Sequence, residues 1–252
     1  MPRNLTTRMP NGVTNASPGQ TLSQAGLPDP SWANIYHNDF NTFATGDWTI
    51  TKTGTGTTAL TAADGGALLL TNTTGATDAI YMQLVAAGFK PATGKEMFFK
   101  FQGTLSTITN CVFYCGFLAT TTTPGSTQDA IYINKATATG ALTLRSVVGG
   151  VTTTTDFPST CALVAATQFE LGIYVNEVGD VMAFFNPGTG NANQQVGPTT
   201  SGTATITARG PVAKLTAPGL TTAILNPSFG ILNSNAAANT LTVDYLTAIR
   251  NR

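Results

Sequence analysis

The sequence predicts an all-β protein, and three observations carry that reading. Apolar and polar residues alternate at period two in most of the segments that lie between turn signals. The 26 glycines and 13 prolines cut the 252 residues into short runs suited to strands. Threonine, β-branched and stiff at χ1, makes up about a fifth of the chain and suits a pleated surface.

Strand signals recur from Asp39 onward. Residues 48–51, 67–71 and 78–85 come first, separated by Gly54-Thr55-Gly56, Asp64-Gly65-Gly66 and Gly75. In residues 96–102, Met97, Phe99 and Phe101 alternate with Phe98, Lys100 and Gln102. Both faces of 111–119 are apolar, Cys111, Phe113, Cys115 and Phe117 on one and Val112, Tyr114 and Leu118 on the other, so this strand is expected to be buried on both sides. Residues 130–134 and 142–148 follow, then 169–175 with Phe169, Leu171, Ile173 and Val175 on one face. A turn at 176–179 leads to Val181, Ala183 and Phe185, and the last strand runs over 240–249. This spacing predicts a two-sheet antiparallel sandwich with Phe99, Phe101, Phe113, Phe117, Leu171, Ile173, Phe185 and Val243 in its core. Residues 187–238, with Pro187, Pro198, Pro211, Pro218 and Pro227, read as looser, with a short helix near 212–216.

Composition narrows the function classes. Hydrophobic residues make up 42 % of the chain and charged residues 10 %, well below the roughly 25 % of an average domain. Twelve basic and twelve acidic residues cancel, and no basic cluster marks a nucleic-acid footprint. The richest apolar stretch, 111–119, is nine residues long, short of the roughly 18 that a spanning helix needs; no membrane partner is expected. The residues after Met1 have no apolar core of the kind a secretory leader requires. Cys111 and Cys115, about 13 Å apart along one strand, cannot bridge. The three cysteines read as buried free thiols in a reducing compartment.

Residues 1–31 stand apart as an extended N-terminal arm, with 32–252 as the sandwich domain. Pro2, Pro10, Pro18, Pro28 and Pro30 hold the arm extended and remove backbone donors. Leu5, Met9, Val13, Leu22 and Leu27 are too widely spaced for a private core but suit shallow pockets on a partner, and Arg3 and Arg8 give a positive tip. Trp32 and Tyr36 are expected to anchor the arm's exit.

Asn38-Asp39-Phe40 ahead of Gly46-Asp47-Trp48, the strand Asp64-Gly65-Gly66-Ala67-Leu68-Leu69-Leu70, the aromatic strand at 95–101, the hairpin 169–185 and Thr242-Val243-Asp244-Tyr245 together resemble the concanavalin A-like, or laminin G-like, jelly roll. The threonine-rich composition, the arm at 8–16 and the stretch Thr120–Thr123-Pro124 are similar to head decoration, or cement, proteins of tailed bacteriophages. That resemblance implies a virion protein on the capsid surface, assembled in the host cytoplasm, homotrimeric, and bound to the major capsid protein. The alternative on the same fold is a carbohydrate-binding or receptor-binding module, which predicts exposed aromatics on one sheet face or loop cluster and usually a metal.

No catalytic constellation is found, and no enzymatic activity is expected. Hydrolases of this fold draw two carboxylates from an E-x-D-x-x-E strand, whereas Glu96, Glu170 and Glu177 each lack an acidic residue two positions on. Glu177 and Asp180 read as solvated hairpin ends, and the single histidine, His37, as a junction residue bonded to backbone. Asp39, Asp47 and Asp64 read as turn aspartates. Laminin G-like modules bind Ca²⁺ through such loops, so a structural metal stays open, though no cofactor is expected. Trp48 is expected in the core.

Overall fold

Alternation in the sequence becomes alternation of burial. Strand β6 (Met97–Leu105) buries Met97, Phe99, Phe101, Gly103 and Leu105 and leaves Phe98, Lys100, Gln102 and Thr104 half-buried. The computed structural model describes residues 33–62, 65–85, 88–121, 128–136, 139–187 and 211–252. Among them, two antiparallel sheets face each other. The first, eight-stranded, runs β13 (Ala213–Leu215), β12 (Val181–Asn186), β11 (Gln168–Val175), β6, β15 (Asn239–Asn251), β4 (Ala67–Asn72), β3 (Thr57–Thr61), with β1 (Ala33–Asn38) also on β15. The second, seven-stranded, runs β10 (Val151–Asp156), β9 (Leu142–Val148), β8 (Ala130–Lys135), β7 (Cys111–Leu118), β14 (Asn226–Asn233), β5 (Ala79–Leu84), β2 (Trp48–Thr53).

The core lies between the sheets. All eight residues expected there are 1 % exposed or less. Phe101 links the layers: its ring centroid lies 5.6 Å from Phe113, 6.2 Å from Phe169 and 5.5 Å from Phe229. Trp48 is 4 % exposed and packs edge-on against Phe229. Cys111, Cys115 and Cys161 are buried and unbridged. A second apolar cluster, built on Tyr81, Tyr114, Leu118, Tyr132 and Val147, covers the outer face of the seven-stranded sheet. Strand β7 is therefore buried on both faces, as its unbroken apolar run predicts. Lys135 is the fully buried cation; its Nζ donates to the carbonyls of Cys111 at 2.6 Å and Ala136 at 2.9 Å, and burial lowers its pKa.

Three expectations are corrected. Residues 213–215 form a strand and not part of a helix, because Ala213 and Leu215 turn inward while Lys214 turns out to meet Asp180. The supposedly loose stretch before 238 contains β14, paired on both sides in the middle of its sheet. Pro227 escapes the usual exclusion of proline from central strands because pairing with β5 begins only at Ser228. Strand β1 precedes Asp39, where the strand signals begin.

Replacing Phe101 with alanine should destabilise the fold by about 3–5 kcal/mol, whereas the same change at Phe98 on the outer side should cost well under half of that. Urea unfolding of the two variants checks the assignment of faces; equal losses would contradict it.

Candidate functional site

Of the arm residues singled out for partner binding, Arg3, Leu5, Arg8, Met9, Val13, Leu22, Leu27 and Trp32 lie outside the described residues, as does Asp64. Tyr36 lies within β1 on the core side, its ring edge-on to Trp48 at 5.9 Å and its hydroxyl accepting from Asn38 Nδ2 at 3.2 Å. His37 points the other way, and its Nδ1 lies 2.7 Å from Thr247 Oγ1, so its partner is a hydroxyl and not the expected backbone group. Asp180 is no solvated hairpin end: it pairs with Lys214 at 2.7 Å and accepts from the Ala217 amide, which together hold its pKa below the usual range.

Side chains that gather elsewhere make the better site, on the outer face of the eight-stranded sheet. Register sets the neighbours. Glu170 lies between Gln102 and Asn186, Gly172 between Lys100 and Phe184, and Tyr174 between Phe98 and Met182. On the far side of β6, Tyr245 sits opposite Gln102, and Thr247 opposite Lys100. The result is a depression of about 190 Å³ lined by Phe98, Lys100, Glu170, Gly172, Phe184 and Asn186. Gly172 is its floor. A Cβ there would lie 3.4 Å from Phe184 Cβ, so a side chain is tolerated sterically but would occupy the depression. Glycine inside a strand weakens the strand, so the open floor comes at a cost to stability.

Beside the floor runs a polar network. Lys100 Nζ lies 2.9 Å from Glu170 Oε2 and 5.3 Å from the centroid of the Tyr245 ring. Tyr245 Oη donates to the same carboxylate at 2.5 Å. Burial first, then this bond to Glu170, raises the Tyr245 pKa far above a free phenol. Tyr245 reaches this face through a β-bulge. Val243 and Leu246 both point inward, and the register shift between Val243 and Tyr245 puts Asp244 and Tyr245 outside together. Asp244 accepts from Gln102 at 2.8 Å and Gln168 at 3.3 Å; burial, then the charge of Asp39, raises its pKa. On the next row Tyr174 donates to Glu96, and that bond pushes its pKa up to about 12. The signal for this site was present in the sequence as the parity switch from Leu241/Val243 to Leu246/Ala248, which only a bulge reconciles with one buried face.

Phenyl walls, a bare floor and adjacent donor and acceptor groups can hold a small ligand with both C–H faces and hydroxyls. Among the described residues Glu170 is the one carboxylate lining the depression, whereas glycoside hydrolysis uses two. Among the described residues no group of three His, Cys, Asp or Glu side chains is placed to hold a metal ion.

No protein-family model matches the chain, and no curated protein matches it. Solved structures do. SO2946, a protein of unknown function from Shewanella oneidensis MR-1, superposes with a TM-score of 0.55 at 13 % identity, over 94 % of this chain and 95 % of that one. The endo-1,3-beta-glucanase from Streptomyces sioyaensis gives 0.55 at 12 % identity, covering 89 % of this chain and 99 % of the enzyme. The Emp47p carbohydrate recognition domain gives 0.54 at 9 % identity, again over 89 % of this chain and 99 % of that domain. The sandwich is thus a concanavalin A-like jelly roll.

A spectrophotometric titration should show one tyrosine ionising near pH 12 that moves toward the ordinary phenol range in Glu96→Gln. The neutral phenol is the form the fold favours. Its contribution to stability is present below the free-phenol pKa of about 10 and is lost as pH rises through about 12. An unchanged titration in Glu96→Gln would place the perturbed tyrosine elsewhere.

Proposed function

We propose that this protein is a carbohydrate-binding module whose site is the depression on the outer face of the eight-stranded sheet. One observation carries the reading: Phe98 and Phe184 flank a glycine floor beside the Lys100–Glu170–Tyr245 network. Pyranose rings present apolar C–H faces that lie against aromatic rings, and hydroxyls that both donate and accept. Lys100 donates, Glu170 accepts, and the pair carries no net charge, which suits a neutral sugar. The volume, about 190 Å³, suits a single ring and lies below the roughly 300–1,000 Å³ of drug-sized pockets. The Emp47p domain and the glucanase, named for carbohydrate recognition and glucan cleavage, support the ligand class. Among the described lining residues Glu170 is the one carboxylate, and its engagement by Lys100 and Tyr245 supports binding over cleavage.

Glycan-array screening followed by calorimetry tests this. Gly172→Leu, which fills the floor, should abolish binding, and Phe184→Ala should weaken it about tenfold, with both variants still folded. No retained glycan, binding indifferent to Gly172→Leu, or release of reducing sugar from the bound glycan would each overturn the reading.

A second reading, capsid decoration through the arm, draws on one feature of the sheet. Strand β1 pairs Ala33, the residue that follows the arm and Trp32, with Asn251 of β15. A chain lacking residues 1–27 should stay folded and lose attachment to capsids; wild-type occupancy by that variant would remove the arm from consideration.

A further inference from the structure

Strand β10 lies near β13 but contributes little to the core. It forms one edge of the seven-stranded sheet, and five of its six residues are exposed, with Val151 at 70 %. Its place is fixed locally. Gly149 and Gly150, at φ 57° and 83°, form the two-residue turn that joins it to β9 with Val148 opposite Val151. Turns of this kind, with both central residues at positive φ, match the twist of a hairpin. Strand β10 is held by its ladder with β9 and by its approach to β13 of the other sheet. Among the described residues no strand pairs with its other edge.

Which groups face outward follows from the hairpin. The pair flanking a two-residue turn is hydrogen-bonded, and antiparallel pairs alternate from there. Val151, Thr153 and Thr155 therefore bond back to β9, and the Phe157 amide, of the same parity, does so to the Leu142 carbonyl at 2.9 Å. The N–H and C=O groups of Thr152, Thr154 and Asp156 face the open edge.

We infer that this edge pairs with β10 of a second copy, antiparallel about a twofold axis through Thr154, joining two seven-stranded sheets into one. The register is self-complementary. Thr154 faces its own counterpart and Thr152 faces Asp156, so each outward-facing residue meets another, in about six hydrogen bonds. Side chains agree with it. Thr152 can donate its hydroxyl to Asp156 of the second copy, whose Oδ1 already accepts from Thr143 at 2.9 Å. Thr153 lies beside Thr155, a favourable cross-strand pair, and the two Asp156 carboxylates sit at opposite ends. Of the other sheet ends, β3 carries no charge but exposes Leu60, whereas two are guarded. Strand β13 is three residues long and carries Lys214, and β2 carries Lys52, devices that keep edges from pairing. Strand β10 has no lysine, and the chain's zero net charge adds no long-range repulsion between copies.

Light scattering over a concentration series, with hydrogen exchange on the same samples, tests the proposal. The full-length protein should reach twice the monomer mass, with the amides of Thr152, Thr154 and Asp156 exchanging at least about tenfold more slowly in the dimer. Thr154→Pro removes an outward donor without touching the β9 ladder, and Thr154→Lys adds an edge charge. Both should return the protein to monomer mass with its melting temperature little changed and those amides fast. Should Thr154→Pro misfold, Thr154→Lys alone decides. A monomer at every soluble concentration, a trimer, or a dimer whose Thr152, Thr154 and Asp156 amides still exchange fast would overturn it.

Discussion

Strand β6 is gripped on both sides, by β11 across residues 97–104 and by β15 across 97–105, and the register of those two ladders governs most of what the molecule is. Side chains on a strand alternate, so a slip of one residue would send Lys100 and Gln102 into the sandwich and turn Phe99 and Phe101 out to water. The stacking of Phe101 on Phe113, Phe169 and Phe229 opposes any such slip. The same alternation that commits Phe99 and Phe101 to the core commits Phe98 and Lys100 to the outer face, where they line the depression. Core and site are two faces of one strand, and the energy that fixes the first positions the second.

The bulge at Asp244 is the one place where this rule is broken to advantage. Without it, either Leu246 and Ala248 or Leu241 and Val243 would face solvent. With it, both pairs are fully buried, and two consecutive side chains stand on the outer face. Gly103 lies at that point on β6, where a Cβ would come within 2.8 Å of the Thr242 carbonyl. Only glycine lets the strands approach closely enough for the bulge to form here. Tyr245 then reaches Glu170 two strands away, across Lys100, and fixes the carboxylate from the side opposite the depression.

How far this was legible in the sequence varies by element, for physical reasons. Strands with an apolar face announce themselves: β4, β7, β9, β11 and β12 fall within a residue of where alternation puts them, and β6 runs three residues further. Strand β10 has no apolar face at all, only Val151 and a run of threonine, so periodicity is silent. Strand β14 begins with Asn226-Pro227, which reads as a turn because local chemistry cannot know that the neighbour on the proline's side starts one residue later. The site was less legible still. Phe98, Lys100, Glu170, Gly172 and Phe184 each look like the ordinary outward positions of their own strands. They become a depression only through cross-strand register, which depends on contacts between segments some 70 residues apart.

A shallow depression that takes one sugar ring has a low ceiling on affinity, because one stacked face and a few exposed polar contacts leave little after the cost of association. Its Lys100–Glu170 pair is partly solvated and worth at most about 1 kcal/mol to stability, so it is a device for orientation more than for grip. A twofold assembly through β10 would place two such depressions on one rigid body without covering either, since β10 belongs to the opposite sheet. Against a surface that repeats the same glycan, the second contact becomes intramolecular, and avidity can exceed the single-site affinity by roughly 10²–10⁴ without any new contact. An unguarded edge on one sheet and a weak site on the other therefore make joint sense: the fold can leave its binding face shallow if multiplicity, not depth, supplies the strength.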